Sequence, residues 1–211
     1  MKRIHLASVL LALPLLFLPG CTPKEDEQLA AKPVIYLYPE EAAEVTLKLD
    51  YPGELLCTYP AYEDGWQVTA YPDGTLLDGQ GQEYSYLFWE GADDLEYPME
   101  EGFVVRGTET AAFLREKLAL LGLTPREYNE FIVYWLPQME GNPYNLITFQ
   151  QDAYTEAVGL EVTPAPDSVL RVFMVYKPLR EPLPVKEPAL PSFTRKGFTV
   201  VEWGGAALPP D

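Results

Sequence analysis

Two carboxylates set beside tryptophan are the residues of this chain best placed to do chemistry. Glu90 follows Trp89, and Glu202 precedes Trp203. A carboxyl group against an indole is poorly solvated, which favours its protonated form. One protonated and one ionised carboxyl, about 5–10 Å apart, are all that glycoside hydrolysis needs. A second use of acid is offered by Asp93, Asp94 and Glu96, with Glu90, Glu100 and Glu101 around them. A hard cation such as Ca²⁺ takes about six to eight oxygen ligands. The spacing is not that of an EF-hand, and the glycine of its sharp turn is missing. The segment reads first as a solvated acidic loop and second as a weak Ca²⁺ site. A third group is aromatic: Trp66, Tyr71, Tyr86 and Trp89 could stack on sugar rings while a carboxylate such as Glu90 accepts hydroxyl hydrogen bonds. Strand aromatics equally fill cores.

What the chain lacks narrows the chemistry further. Its single histidine is His5, inside the N-terminal apolar segment. Without it the chain has no Ser-His-Asp or Cys-His nucleophile, no histidine-ligated zinc and no imidazole acid–base catalysis. The two cysteines are Cys21 and Cys57. Cys57 lies in the strand-like run 55–59 and reads as a buried core thiol.

Lys2 and Arg3 precede an apolar run from Ile4 to Leu18. That run is shorter than the roughly 20 apolar residues a membrane span needs, and with its basic start it has the form of a signal peptide. Leu18, Gly20 and Cys21 at its end resemble the lipobox of bacterial lipoproteins. The resemblance implies cleavage after Gly20, a diacylglyceryl group on the Cys21 sulfur and an acyl group, such as palmitate, on the new amine. Two or three chains hold a protein stably to a bilayer, where one does so only marginally. The expected organisation is a lipoprotein signal peptide (1–20), a flexible polar tether (21–32) and a globular part (33–211). The globular part is either one unit or two lobes, β-rich over 33–102 and α+β over 103–211. The expected location is the extracytoplasmic face of a cell membrane, with the membrane as a partner through the lipid on Cys21.

The formal net charge is −17, and losing Lys2 and Arg3 takes it to −19. Between Lys48 and Arg106 stand thirteen acidic residues and no basic one, whereas 171–196 holds six basic and two acidic residues. Such a field repels nucleic acid and anionic headgroups, so no nucleic-acid partner is expected.

The elements that must position these residues follow from periodicity. Runs at 34–38, 45–49, 55–59, 66–70 and 84–89 alternate or are apolar throughout, with turns at Pro52-Gly53 and Pro72-Asp73-Gly74. Pro52-Gly53 fits a type II turn. After a strand at 103–105 the period changes. Ala111, Leu114, Leu118 and Leu121 share a helical face, with Thr110 as N-cap and Gly122 just beyond the end. Thr124-Pro125-Arg126-Glu127 is a capping box that opens a second helix on Tyr128, Phe131, Ile132 and Trp135. Strands follow at 146–149, 158–162 and 169–176, then a connector with prolines at 178, 182, 184, 188 and 191, then a strand at 198–203. The fold class is α+β: β-rich, mostly antiparallel sheets with a two-helix hairpin, about 110–135, packed on one face.

The strings at 32–39 (Lys-Pro-Val-Ile-Tyr-Leu-Tyr-Pro), 86–90 (Tyr-Leu-Phe-Trp-Glu) and 201–205 (Val-Glu-Trp-Gly-Gly) resemble the recurring signatures of an uncharacterised family of exported bacterial proteins. The resemblance spans nearly the whole chain after the tether and implies no activity. The expectation is therefore a lipid-anchored envelope protein that binds a glycan, peptide or protein, without catalytic residues or a required cofactor. The alternatives are a carboxylate-dependent glycan hydrolase and a structural envelope protein.

Overall fold

A computed structural model of the chain describes residues 28–210. The expected signal peptide, Cys21 and the tether up to residue 27 lie outside the described residues. In chain order the elements are β1 (Gln28–Tyr38), β2 (Ala43–Asp50), β3 (Glu54–Tyr59), β4 (Trp66–Ala70), β5 (Leu76–Leu77), β6 (Glu83–Tyr84), β7 (Leu87–Asp93), β8 (Phe103–Arg106), α1 (Thr110–Leu121), α2 (Pro125–Met139), β9 (Tyr144–Phe149), α3 (Gln151–Ala157), β10 (Gly159–Thr163), β11 (Ser168–Leu179) and β12 (Thr199–Ala207).

They form three layers. A seven-stranded sheet, in the order β3-β7-β1-β12-β11-β9-β8, carries the hairpin of α1 and α2 on one face. A five-stranded sheet, β10-β2-β4-β5-β6, packs on the other. Every pairing is antiparallel except β11 with β12. The central strands are therefore covered on both sides, which is why 34–38 is apolar at every position. Val34 and Tyr36 face the helices, and Ile35 and Leu37 face the second sheet. β12, the last strand, lies between β1 and β11. Gly204 and Gly205 fall inside it, not after its end. A Cβ on Gly205 would stand 2.3 Å from the Met174 carbonyl oxygen.

The helix hairpin matches the sequence expectation. Gly122 closes α1 at φ +107°, and the Thr124–Glu127 capping box opens α2. α2 runs four residues past Trp135, through Pro137. Pro137 leaves the Val133 carbonyl without its helical donor, but Val133 is 74% exposed and water can serve it. Thr110 is not the cap of α1. Glu109 holds that position, and the Thr110 hydroxyl donates back to the Arg106 carbonyl at 3.3 Å.

Other details differ. Gly53 lacks the positive φ of a type II turn. Glycine is needed there because a Cβ would meet the Ala92 carbonyl oxygen at 2.0 Å. The expected strand 84–89 is two strands, since the chain leaves the five-stranded sheet after Tyr84 and enters the seven-stranded one at Leu87. β7 continues to Asp93, so Glu90 and Asp93 belong to a strand and not to the acidic loop. Residues 28–32, read as the end of the tether, lie in β1. Cys57 is exposed on the edge strand β3, not buried. The short α3 had no sequence signal. Among the described residues no helix is long and apolar enough to cross a membrane.

Candidate functional site

The three signature strings form three neighbouring strands, β7, β1 and β12, at the middle of the large sheet. Strand alternation sorts their side chains onto two faces.

Toward the helices point Tyr36, Tyr86, Phe88 and Trp203. Glu90, two residues beyond Phe88, shares that face, and its charge acts on the Tyr134 phenol of α2. The Tyr36 hydroxyl donates to Glu130 Oε2 at 2.8 Å, and its ring meets Tyr86 edge-on at 5.4 Å and Tyr38 in a stack at 6.0 Å. Burial, then the charge of Glu130, hold the Tyr36 phenol protonated far above its ordinary range. Burial followed by Glu130 raises Tyr86, and burial followed by Glu90 raises Tyr134. Lys32, at φ +50°, sits where β1 loses register with both neighbours. Its ammonium lies 5.3 Å from the Tyr134 ring centre and 5.8 Å from that of Trp203. Two of the predicted binding residues, Tyr86 and Glu90, thus share one surface.

Toward the second sheet point Trp89 and Glu202. The Trp89 indole donates to Glu202 Oε1 at 3.3 Å. Glu202 Oε2 accepts from Arg171 Nε at 2.6 Å, with the two side chains 1% and 8% exposed. Arg171 Nη1 donates to the Val158 carbonyl at 2.6 Å, and the guanidinium lies 4.7 Å over the Tyr154 ring. Tyr154 stacks on Phe173 at 4.0 Å. Burial, then the charge of Glu202, keep the Tyr154 phenol protonated. This is an interior ion pair, and its carboxylate is closed off from ligand. Glu90 and Glu202 therefore stand on opposite faces of one sheet and cannot flank one glycosidic bond.

The remaining predicted residues separate. Asp93 is buried, accepting from the Tyr51 hydroxyl at 2.6 Å and the Leu95 amide at 3.0 Å. Asp94 and Glu96 are exposed. Among the described residues no three acid, cysteine or histidine side chains converge to hold a metal. Tyr71 opens the turn to Gly74, its carbonyl accepting the Gly74 amide at 2.9 Å. Trp66 is 2% exposed, and its indole donates to the Pro60 carbonyl at 2.9 Å.

Trp66 also borders an open groove of about 660 Å³ beside the five-stranded sheet. β4 pairs with β5 only at Thr69 and Ala70, so a gap is left between Trp66–Val68 and the β5–β6 hairpin. Tyr84, Gln67, Lys48, Asp64 and Asp78 line it. The Tyr84 hydroxyl donates to Asp78 Oδ2 at 3.0 Å, and the exposed Tyr59 meets the Tyr84 ring edge-on at 5.2 Å. Asp78 Oδ1 accepts the amides of Gln82 and Gln80, at 2.9 and 2.8 Å. The Gln82 amide foremost holds its carboxyl below the usual range, ionised and fixed in place. Aromatic rings, amides and a fixed carboxylate in one open groove suit a ligand rich in hydroxyls.

Sequence reasoning missed Tyr84, Asp78 and Arg171. Arg171 had a signal: it is the one cation in the apolar run 169–176, matched by one anion, Glu202, in the run 198–203.

No family model matches the chain, and no solved structure matches it. An uncharacterised protein in the bglA 3′ region of Butyrivibrio fibrisolvens is 38% identical over 96 residues, a stretch that takes in 43% of this chain and 99% of that protein. The chain belongs to the family of that uncharacterised Butyrivibrio protein.

Proposed function

We propose that the chain is an exported lipoprotein, anchored through Cys21 at the extracytoplasmic face of a membrane, and that it binds a glycan. The anchor rests on Leu18, Gly20 and Cys21 following a basic start and a short apolar run. The observation that carries the binding reading is the open groove, where Tyr84 offers a ring and Asp78, Asp64 and Gln67 offer hydrogen-bonding groups. Exposed carboxylates and amides accept and donate to sugar hydroxyls without the cost of leaving a buried charge unpaired. Hydrolysis is the weaker reading, because Glu202 is committed to Arg171 and Trp89 while Glu90 faces the other layer.

The test is a glycan array on the soluble form that starts at Thr22, with and without Ca²⁺. Glycan signal that falls at least about fivefold in Tyr84→Ala and Gln67→Ala supports the groove, since each contact is worth about 1 kcal/mol. Silence in both conditions, or signal indifferent to both substitutions, removes it. Mass spectrometry of protein from its native host tests the anchor. An N-terminus other than an acylated Cys21 removes that part of the proposal.

A further inference from the structure

β11 is paired on both sides only over Met174–Tyr176. Over Ser168–Phe173, β12 covers one side, while on the other β9 has ended at Phe149 opposite Met174. The Gln150 amide makes the last contact, to the Phe173 carbonyl at 2.8 Å, and the chain then turns away into α3. Peptide groups point to alternate sides along a strand. With the Phe173 carbonyl aimed at the β9 side, the N–H and C=O of Val169 and Arg171 aim there too. Among the described residues no strand meets them. Consistent with this alternation, the Ser168 amide points the other way, to the Phe198 carbonyl.

A cavity of about 420 Å³ lies along this open edge, walled by Leu121, Leu170 and Phe193 with Thr155 of α3 beside them. Its frame is rigid. Arg171 is pinned by Glu202 and the Val158 carbonyl, and α3 is pinned by Tyr154 stacked on Phe173. A preformed site loses little conformational freedom on binding.

We propose that this notch binds an extended peptide that adds as a strand beside Ser168–Phe173 and places an apolar side chain in the cavity. The backbone chooses the ligand class. Donor and acceptor pairs repeating about every 6.7 Å match another polypeptide strand, and neither an acyl chain nor a sugar repeats them. An unpaired edge is a template for pairing, and the apolar walls select the residue that faces them. The site is separate from the groove near Tyr84 and depends neither on that groove nor on the anchor.

The experiment uses the full chain in mild detergent and a pool of peptides, acetyl-Thr-Xaa-Thr-Xaa-Thr-amide, with Xaa Val, Leu, Ile or Phe. Binding is read by fluorescence anisotropy, and the site by amide hydrogen exchange. The expected result is saturable binding that slows exchange at Val169 and Arg171. N-methylation of both Xaa residues should weaken it at least about tenfold, because two backbone hydrogen bonds are removed. Phe193→Ala should weaken it while leaving the fold intact. Three results overturn the proposal: no binding from the pool, equal binding of the N-methylated peptides, or slow exchange at Val169 and Arg171 before any peptide is added. The last would mean that the edge is already covered, and a dimer on a sizing column would identify the cover as a second copy. The N-methyl comparison needs no variant, so it stands even if Phe193→Ala misfolds.

Discussion

Replacing Glu202 by leucine should be among the most damaging single changes available in this chain. Glu202 is 1% exposed, and its partner Arg171 has a side chain 8% exposed. Without the carboxylate, Arg171 keeps the Val158 carbonyl and the Tyr154 ring, and its charge stays inside. Breaking one side of a buried ion pair costs about 3–5 kcal/mol. The Trp89 indole also loses its acceptor; that bond is long, 3.3 Å, and worth about 1 kcal/mol. The total, about 4–6 kcal/mol, is a large part of the 5–15 kcal/mol typical of a domain. At about 2–4 °C per kcal/mol for a chain of this size, Tm should fall by about 10–20 °C. Adding Arg171→Met removes the stranded charge, so the double variant should recover to within about 2 kcal/mol of the parent. Urea titration followed by tryptophan fluorescence measures all four members of the cycle. If the double variant loses the sum of the two single losses, the pair is not coupled and the reasoning fails.

Alkaline pH should reveal the buried phenols. Burial, as the first cause, raises Tyr36, Tyr51, Tyr97 and Tyr154 above the ordinary value of about 10. A raised folded-state pKa contributes stability that is whole below that value and is lost as pH climbs above it. Tyrosinate absorbance should therefore rise in step with unfolding, and full ionisation near pH 10 in a folded protein would contradict this. Cys57, exposed on β3, should take one equivalent of maleimide in the folded state; labelling that waits for denaturant would show it covered. Gly205→Ala should cost more than about 4 kcal/mol or yield no soluble protein, because its Cβ falls 2.3 Å from a backbone oxygen. Gly141→Ala, with open space around it, is the matched control and should behave as the parent does.

Periodicity reached the helices and most strands because each buries a face against something near in sequence or strongly apolar. The Thr124 capping box and the Gly122 terminus are local chemistry and could be read directly. What could not be read is partnership over distance. Nothing in 84–89 says that the chain changes sheets after Tyr84, since both halves are equally apolar. Cys57 looked internal because its strand is apolar, yet β3 is an edge strand with a bulge between Leu55 and Cys57 that turns alternate positions outward. At the candidate sites, Glu90 and Glu202 were equivalent in sequence, each beside a tryptophan. Strand parity then put them on opposite faces. Tyr84 and Asp78 gave no warning, because a groove is made by the early ending of β4–β5 pairing, and missing pairs leave no mark in composition.

The position of β12 bears on biosynthesis. It is the last strand of the described chain and stands between β1, the first, and β11. A growing polypeptide that has reached only residue 198 lacks Trp203 for one core and Val200 for the other, and cannot join β1 to β11. Shorter intermediates would show water the apolar faces of both strands. β1 and β11 thus cannot be joined until residues 199–207 have been made, and synthesis proceeds at about 5–20 residues per second. Ribosome-arrested or nonsense-truncated forms should fall to proteases, while the finished molecule resists them.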